Sequence, residues 1–312
     1  MLVHLDTDIG GDPDDLCALA MLLGEPKVEI VGITTASDRG GIRAGYLEYC
    51  LALAGAAEIP IAAGAAASLT TGLVADPYIN DVRYWPTGLT PIPSPPGAAL
   101  DLLLRSIERG ATIIAIGPVT NLALLELVRP GSLAHTRVVM MGGWVKLPGT
   151  GFPQWGPEMD WNVQWDTQAT RIVVASAQVT LTPLEVTLVA QLRATDLLRL
   201  RATGPVGELI ATQSLAHAAD IGMTELGRAH AALPDDLLNF HYDPVTCATA
   251  IGDPSITVVP QRLRPVMDGK YLRFEPHPDG LSLHVAQYVE ADAFAKRWFA
   301  AVQAAQVSTS SS

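Results

Sequence analysis

Cations are scarce in this sequence. The 312 residues carry 20 Lys and Arg against 32 Asp and Glu, for a formal charge of −12, and no Lys or Arg precedes Lys27. Phosphate backbones are held mainly by Lys and Arg, so this balance, without any long basic run, argues against nucleic acid as a ligand. Cysteine is scarce too. Cys17, Cys50 and Cys247 are odd in number, widely spaced and set in apolar helical patterns, which reads as reduced core thiols rather than a disulfide framework or zinc site, with a catalytic thiol as the alternative. Apolar runs such as "ATIIAIG" fall far short of the ~20 residues a membrane-spanning helix needs. The N-terminus shows no charged segment followed by a long apolar one, so nothing suggests export and a cytoplasmic protein is expected. Low complexity is confined to the final "STSSS", and residues 307–312 are expected to be a disordered tail.

What is present is apolar: 49% of residues, enough to bury a large core as one domain or two. The runs "LVHLDTD", "VEIVGITTA", "IPIAAG", "ATIIAIG", "RVVMMGG" and "QVTLTPL" look like short buried strands. Between them "DDLCALAMLLG", "IRAGYLEYCLALAG", "GAALDLLLRSIERG", "TNLALLELVR" and "DTQATRIVVASA" space their apolar residues as helices do. Such alternation predicts an α/β fold with a mostly parallel, Rossmann-like central sheet flanked by helices, its site at the carboxyl ends of the strands. With no repeat and no clear linker, a single domain over residues 1–306 is expected.

Two stretches interrupt the pattern. Residues 66–97 are rich in Pro and turn residues and contain Tyr84 and Trp85; residues 144–165 hold four of the six tryptophans. Long loops in a compact domain are usually functional or disordered, and so much Trp makes disorder a poor reading of the second. The segments 66–97 and 218–242 are expected to form lids over the site.

The densest chemistry is at the start. "DTDIGGDPDD" places Asp6, Asp8, Asp12, Asp14 and Asp15 within ten residues. Asp12-Pro13-Asp14-Asp15 is also ordinary helix-start grammar, with Asp12 as N-cap and acids in the first turn. One or two aspartates need no other reason, but removing several carboxylates from water without cations costs several kcal/mol each. A hard divalent cation answers this, and Ca²⁺ tolerates looser geometry and more oxygen ligands than Mg²⁺. The same grammar returns in "NFHYDPVTCATAIGDP", and "AIGPVTNLALLEL" runs from a strand end into a helix near Thr120.

Taken together these motifs resemble the inosine-uridine-preferring nucleoside hydrolase family. "DTDIGGDPDDLCAL" matches its Asp-rich opening, and "VGITTA", "AIGPVTNLAL", "VVMMGG", "EMDWN", "TPLEVT" and "YDPVTCATAIGDP" follow in the family's order over nearly all of residues 1–260. The resemblance implies a homo-oligomeric N-glycosidase of nucleoside metabolism and salvage, which releases ribose and free base with one Ca²⁺. Carried over by motif, Asp8 is the general base; Asp8, Asp15 and Asp243 bind calcium by carboxylate and Thr120 by its backbone carbonyl. Asp14 binds the ribose 2′-hydroxyl. Asn162 holds the sugar, with Asp160 beside it, and Met141 packs near the ribose.

The chain also departs from the family. "ASDRGG" puts Asp38 or Arg39 where an Asn commonly contacts ribose, and Gln154 stands near another usual sugar-binding Asn. Tyr242 takes the usual His position before the late Asp, with His241 one step earlier. Since neighbouring side chains on an extended segment face opposite ways, Tyr242 is expected to face the base and His241 to face away, leaving both as candidate donors to the leaving group. Tyr84 or Trp85 is expected to stack on the nucleobase, unless the pair merely packs under its loop. Asp6 is expected to be structural.

The chemistry is consistent with this. Breaking an N-glycosidic bond develops oxocarbenium character, which an anionic pocket stabilises, and a carboxylate beside a cation can deprotonate water. Two other classes remain. "HLDTDIGG" superficially supplies the Asp-x-Asp of a haloacid dehalogenase-type phosphatase, but leaves "DPDD" and "YDP" without a role. A nucleoside- or ribose-binding protein without turnover is the second.

Overall fold

The structure is a computed structural model that describes residues 1–75 and 81–307. The expected alternation builds β1 (Leu2–Thr7), α1 (Asp14–Gly24), β2 (Glu29–Thr35), α2 (Ile42–Leu53), β3 (Ile61–Ala63), α3 (Ala98–Glu108), β4 (Thr112–Ala115), α4 (Thr120–Val128) and β5 (Arg137–Met141). Beyond the Trp-rich stretch come α5 (Trp161–Trp165), α6 (Thr167–Ser176), β6 (Gln178–Thr182), α7 (Leu184–Thr187), β7 (Gln191–Arg193) and α8 (Leu197–Arg201). Then follow α9 (Pro205–Ile221), α10 (Met223–Ala229), β8 (Leu237–Phe240) and α11 (Tyr242–Ala250), and β9 (Ile256–Asp268), β10 (Tyr271–Pro276), β11 (Leu281–Val289) and α12 (Ala291–Val307) end the fold.

Nine strands form one sheet in the order β10-β9-β11-β6-β5-β4-β1-β2-β3. From β3 to β11 every neighbouring pair is parallel, and β9 and β10 add an antiparallel edge. That edge was not expected from sequence. Strand β10 alternates buried residues with more exposed ones and β9 is mostly exposed or half-buried, as half-solvated antiparallel strands are, so they carry no continuous apolar run.

The inner strands are buried on both faces, and their side chains alternate between two cores. On β4, Ile114 belongs to the cluster with Val3, Leu5 and α1, while Ile113 and Ala115 join the opposite cluster with Val138 and Leu181. The first core is closed by α12, whose Trp298 is fully buried and donates its indole N–H to the Cys17 carbonyl at 3.1 Å. Gly24 permits that approach, since a Cβ there would lie 1.7 Å from the Ala301 carbonyl oxygen. The three cysteines are buried and free. No helix among the described residues is long and apolar enough to cross a membrane.

β1 lies between β2 and β4, and chain order reverses across it. In open α/β sheets this switch point leaves a crevice beyond the strand ends, and the aspartate run begins there.

Of the two segments expected to form lids, 218–242 lines the cavity described below and the described part of 66–97 does not. The described part of 66–97 packs down: Tyr84 and Trp85 are buried, and the Ile92 N–H reaches the Gly41 carbonyl at 2.8 Å. Residues 76–80 of that segment and 308–312 of the expected tail lie outside the described residues. Residues 218–242 are largely the end of α9, α10 and β8, held by a small core of Ala218, Met223, Leu233, Leu237 and Phe240.

Candidate active site

A cavity of about 850 Å³ opens over the ends of β1 and β4. Asp8, Asp12, Asp14, Asp15 and Asp243 form its floor, and Trp155, Met159, Trp161, Ile221, Met223 and Leu226 its outer walls. A polar, acidic end thus passes into an apolar one.

The floor is assembled by two helix starts. Asp14 and Asp15 occupy the first turn of α1, and Asp243 the first turn of α11. Helix N-termini favour negative charge, but these ends converge. Carboxylate oxygens of Asp14, Asp15 and Asp243 lie within 4.8 Å of one another, all buried. Burial first, and repulsion by the neighbouring aspartates next, push each carboxyl well above its usual range. The Thr7 hydroxyl donates to Asp15, which offsets only part of this. Such a donor set, hard oxygens from buried carboxylates that join no ion pair among the described residues, is what a divalent metal would satisfy.

Asp8 follows the end of β1 beside that group. Burial raises its pKa, and the nearby Arg43 guanidinium opposes the rise. Its close approach to the loop after β4 depends on Gly117, where a Cβ would sit 2.9 Å from an Asp8 carboxylate oxygen. Arg43, reaching in from α2, donates to the carbonyls of Asp8 and Ile9, the latter at 2.9 Å, and through Nε to Ser37 at 3.1 Å. It fixes the turn after β1 and is the cation that lines the acidic floor.

Behind the floor Asp6 is fully buried and accepts from the Thr34 hydroxyl and from Asn121 Nδ2, at 2.7 Å from the latter. One of its oxygens has no partner, and burial pushes its pKa up to about 7. Asp12 Oδ1 accepts from the Asp14 N–H at 3.2 Å and from Asn239 Nδ2 at 2.7 Å. It holds the helix start much as expected, though Pro13 is the backbone cap residue.

The other expected site residues divide. Met141 and Asn162 line the cavity, and Asn162 Nδ2 donates to the Ile116 carbonyl at 3.0 Å. Asp160 also lines it, but its oxygens accept backbone N–H groups of Gly143 at 2.7 Å, Trp144 at 3.3 Å and Val163 at 3.3 Å. It caps α5, and burial still raises its pKa to about 6. Thr120 begins α4, turns its hydroxyl to Asp166 at 2.7 Å and does not line the cavity.

Several expectations are corrected. Gln154 is exposed and donates to the carbonyls of its own loop, at 3.0 Å from Phe152. Trp85 stacks on Tyr46 with centroids 4.2 Å apart and donates to the Gly10 carbonyl at 2.8 Å. Tyr84 donates to Asp220 at 3.0 Å. Neither aromatic reaches the cavity, because both are used to seal their own long loop against α2 and α9. Asp38 is spent inside the fold, accepting from the Thr35 hydroxyl at 2.7 Å and the Arg43 and Ala44 N–H groups at 3.0 Å, and Arg39 is exposed. Tyr242 lines the cavity; His241 does not. His241 packs 4.4 Å from the Trp298 ring, and burial lowers its pKa to about 3, so it stays neutral and away from the site.

Sequence reasoning missed Arg43, Trp155, Trp161, Asn239 and His217. Trp155 and Trp161 lay inside the Trp-rich stretch already singled out. His217 sits one helical turn before Ile221 on α9, and nothing in "SLAHAADIG" distinguishes it from a helix-face histidine.

This is an α/β protein with a carboxylate-floored cavity at the switch point of a parallel sheet, where three converging acids could hold a metal ion. Residues 3–303 match the family described as inosine-uridine preferring nucleoside hydrolase, and the chain belongs to that family. It is therefore a hydrolase acting on N-glycosyl bonds. It is 32% identical over 224 residues to the pyrimidine-specific ribonucleoside hydrolase RihA of Salmonella agona (strain SL483), covering 67% of this chain and 68% of that one. Among solved structures it is similar to the plant nucleoside hydrolase PpNRh1, with TM-score 0.77 and 21% identity over 97% of this chain and 98% of that chain. It is also similar to the purine-preferring ribonucleoside hydrolase from Gardnerella vaginalis, with TM-score 0.75 and 19% identity over 98% and 100%. At these identities the structural likeness speaks for the fold.

Proposed function

We propose that the chain hydrolyses ribonucleosides to ribose and free nucleobase, with Ca²⁺ at the carboxylates of Asp14, Asp15 and Asp243. The observation that carries this reading is the convergence of those three buried acids within 4.8 Å, directly below a cavity whose far end is apolar. When bound, the cation supplies a grip on the sugar's vicinal hydroxyls and lowers the pKa of water.

The chain's own groups account for the rest. Asp8, at the strand end and beside the acids, takes the proton of the attacking water. The anionic floor stabilises positive charge that develops on the sugar as the glycosidic bond opens. Asn162, with its amide fixed by the Ile116 carbonyl, presents its remaining polar face to the ribose, and Met141 packs against it. Trp161, 55% exposed and stacked on Trp165 at 4.9 Å, takes the base-stacking role first expected of Tyr84 or Trp85. Tyr242, partly buried against Phe240, borders the base end.

A panel of purine and pyrimidine nucleosides, read by base release and by reducing sugar, tests the reading. Release of base with an equal amount of ribose supports it. Tight nucleoside binding without either product leaves a binding protein, and phosphate release from p-nitrophenyl phosphate in its place returns the phosphatase reading.

A further inference from the structure

A departing purine or pyrimidine anion is a poor leaving group unless it is protonated, so a proton donor is needed between sugar and base. Neither residue at the late motif supplies it well. His241 is outside the cavity, and Tyr242 carries a phenol, whose ordinary pKa of ~10 makes it a reluctant acid near neutrality.

His217 is placed differently. It projects from α9 into the cavity at the level where the acidic floor meets the apolar wall of Ile221, Met223 and Leu226. The residue is 8% exposed, and its Nε2 is buried without a hydrogen-bond partner. The nearest charge is Asp12, whose Oδ2 lies 3.6 Å from that nitrogen, inside ion-pair range and beyond hydrogen-bond length. Asp12 is oriented for this: Oδ1 is occupied by Asn239 Nδ2 and the Asp14 N–H, which turns Oδ2 toward the imidazole. A buried ring nitrogen without a hydrogen bond, beside a carboxylate and on an imidazole that lines the cavity, leaves this side chain free to act as an acid.

We infer that His217 is the leaving-group acid of this enzyme and that Asp12 positions its imidazole. The inference rests on the nucleoside hydrolase reading above. As the C1′–N bond breaks, its electron pair passes to the base and a proton on the His217 imidazole passes to a ring nitrogen or carbonyl oxygen of that base. Water adds its hydroxyl to C1′ and gives its other proton to Asp8. Solvent then returns a proton to His217 and removes one from Asp8, so the sum is nucleoside plus water to ribose plus neutral base.

The test compares natural nucleosides with p-nitrophenyl riboside, whose leaving group departs without a proton. His217→Gln is expected to lower kcat on uridine or inosine by about 100-fold, the lower end of what acid catalysis contributes, with KM little changed and p-nitrophenyl riboside cleaved within about threefold of the parent. Asp12→Asn, which keeps the Asn239 contact, should give the same split more weakly, because a purely structural role would affect both substrates alike. Equal losses on both substrates in folded His217→Gln overturn the inference, as does a split that follows Tyr242→Phe in its place. If the parent chain releases no base from any nucleoside, the underlying reading itself fails, a result visible before any variant is made.

Discussion

Replacing Asp15 with Asn should stabilise the metal-stripped protein and destabilise it relative to the parent once calcium is supplied. Carboxylate oxygens at most 4.8 Å apart repel by about 3.5 kcal/mol per pair at an effective dielectric of ~20. Neutralising one of three removes two such pairs, a ceiling of about 7 kcal/mol. Protonation limits the real gain. Because burial and mutual repulsion raise these pKa values, the folded protein without metal holds protons that the unfolded chain releases above pH ~4. Folded carboxyls with raised pKa bind more protons than unfolded ones, so the stability of the stripped protein falls as pH rises above that value, by up to ~1.4 kcal/mol per unit for each carboxyl kept neutral. At pH 7 one carboxyl fewer therefore raises the stability, and the Tm, of the stripped protein. Thermal melts in excess chelator and in excess Ca²⁺, at pH 5 and pH 8, read this directly. The chelated variant should melt above the chelated parent, most clearly at pH 8, and calcium should raise the parent's Tm more than the variant's. A chelated variant that melts below its parent, or an equal calcium shift in both, would refute the reasoning.

Other outcomes follow from single contacts. Asp8→Asn should lower nucleoside turnover by at least ~100-fold while the circular dichroism spectrum stays that of the parent. Trp161→Ala should raise KM for nucleosides several-fold with little loss of stability, whereas Trp85→Ala, which empties a buried site stacked on Tyr46, should cost about 3–5 kcal/mol in urea unfolding. His241→Gln should flatten the acid limb of the stability curve. The buried imidazole titrates near pH 3 when folded and near 6.5 when unfolded, so protonation of the unfolded chain removes up to ~1.4 kcal/mol per pH unit as pH falls below ~6.5; equal slopes in parent and variant would contradict this. Gly117→Ala, which drives a Cβ against Asp8, should impair turnover more than stability.

Much of the architecture was legible because parallel strands buried on both faces must be nearly all apolar. Each of the six runs from "LVHLDTD" to "QVTLTPL" became a strand of the sheet, and the acid-rich turn fell at its switch point. The antiparallel edge was not, since half-solvated strands dilute their apolar residues with polar ones. The Tyr84–Trp85 pair shows the same limit from the other side: two aromatics in a long loop pack equally well on a ligand or on the protein, and only the positions of Tyr46 and Gly10 decide which.

The amino-acid sequence by itself determined the sheet, the family and the convergence of acids at one end of the chain, because strand burial, helix-start grammar and charge density are local properties written in consecutive residues. Which side chains meet across the cavity was decided only by the tertiary structure. Arg43 on α2, Trp161 on α5, His217 on α9 and Asn239 on β8 come from elements far apart in sequence, and apart from the Trp-rich stretch around Trp161 no local pattern marks them. Asp12 looked like a helix cap and is placed as one, yet its second oxygen faces His217 some two hundred positions later. A contact of that kind depends on how two helices pack, which the spacing of residues along either one does not contain.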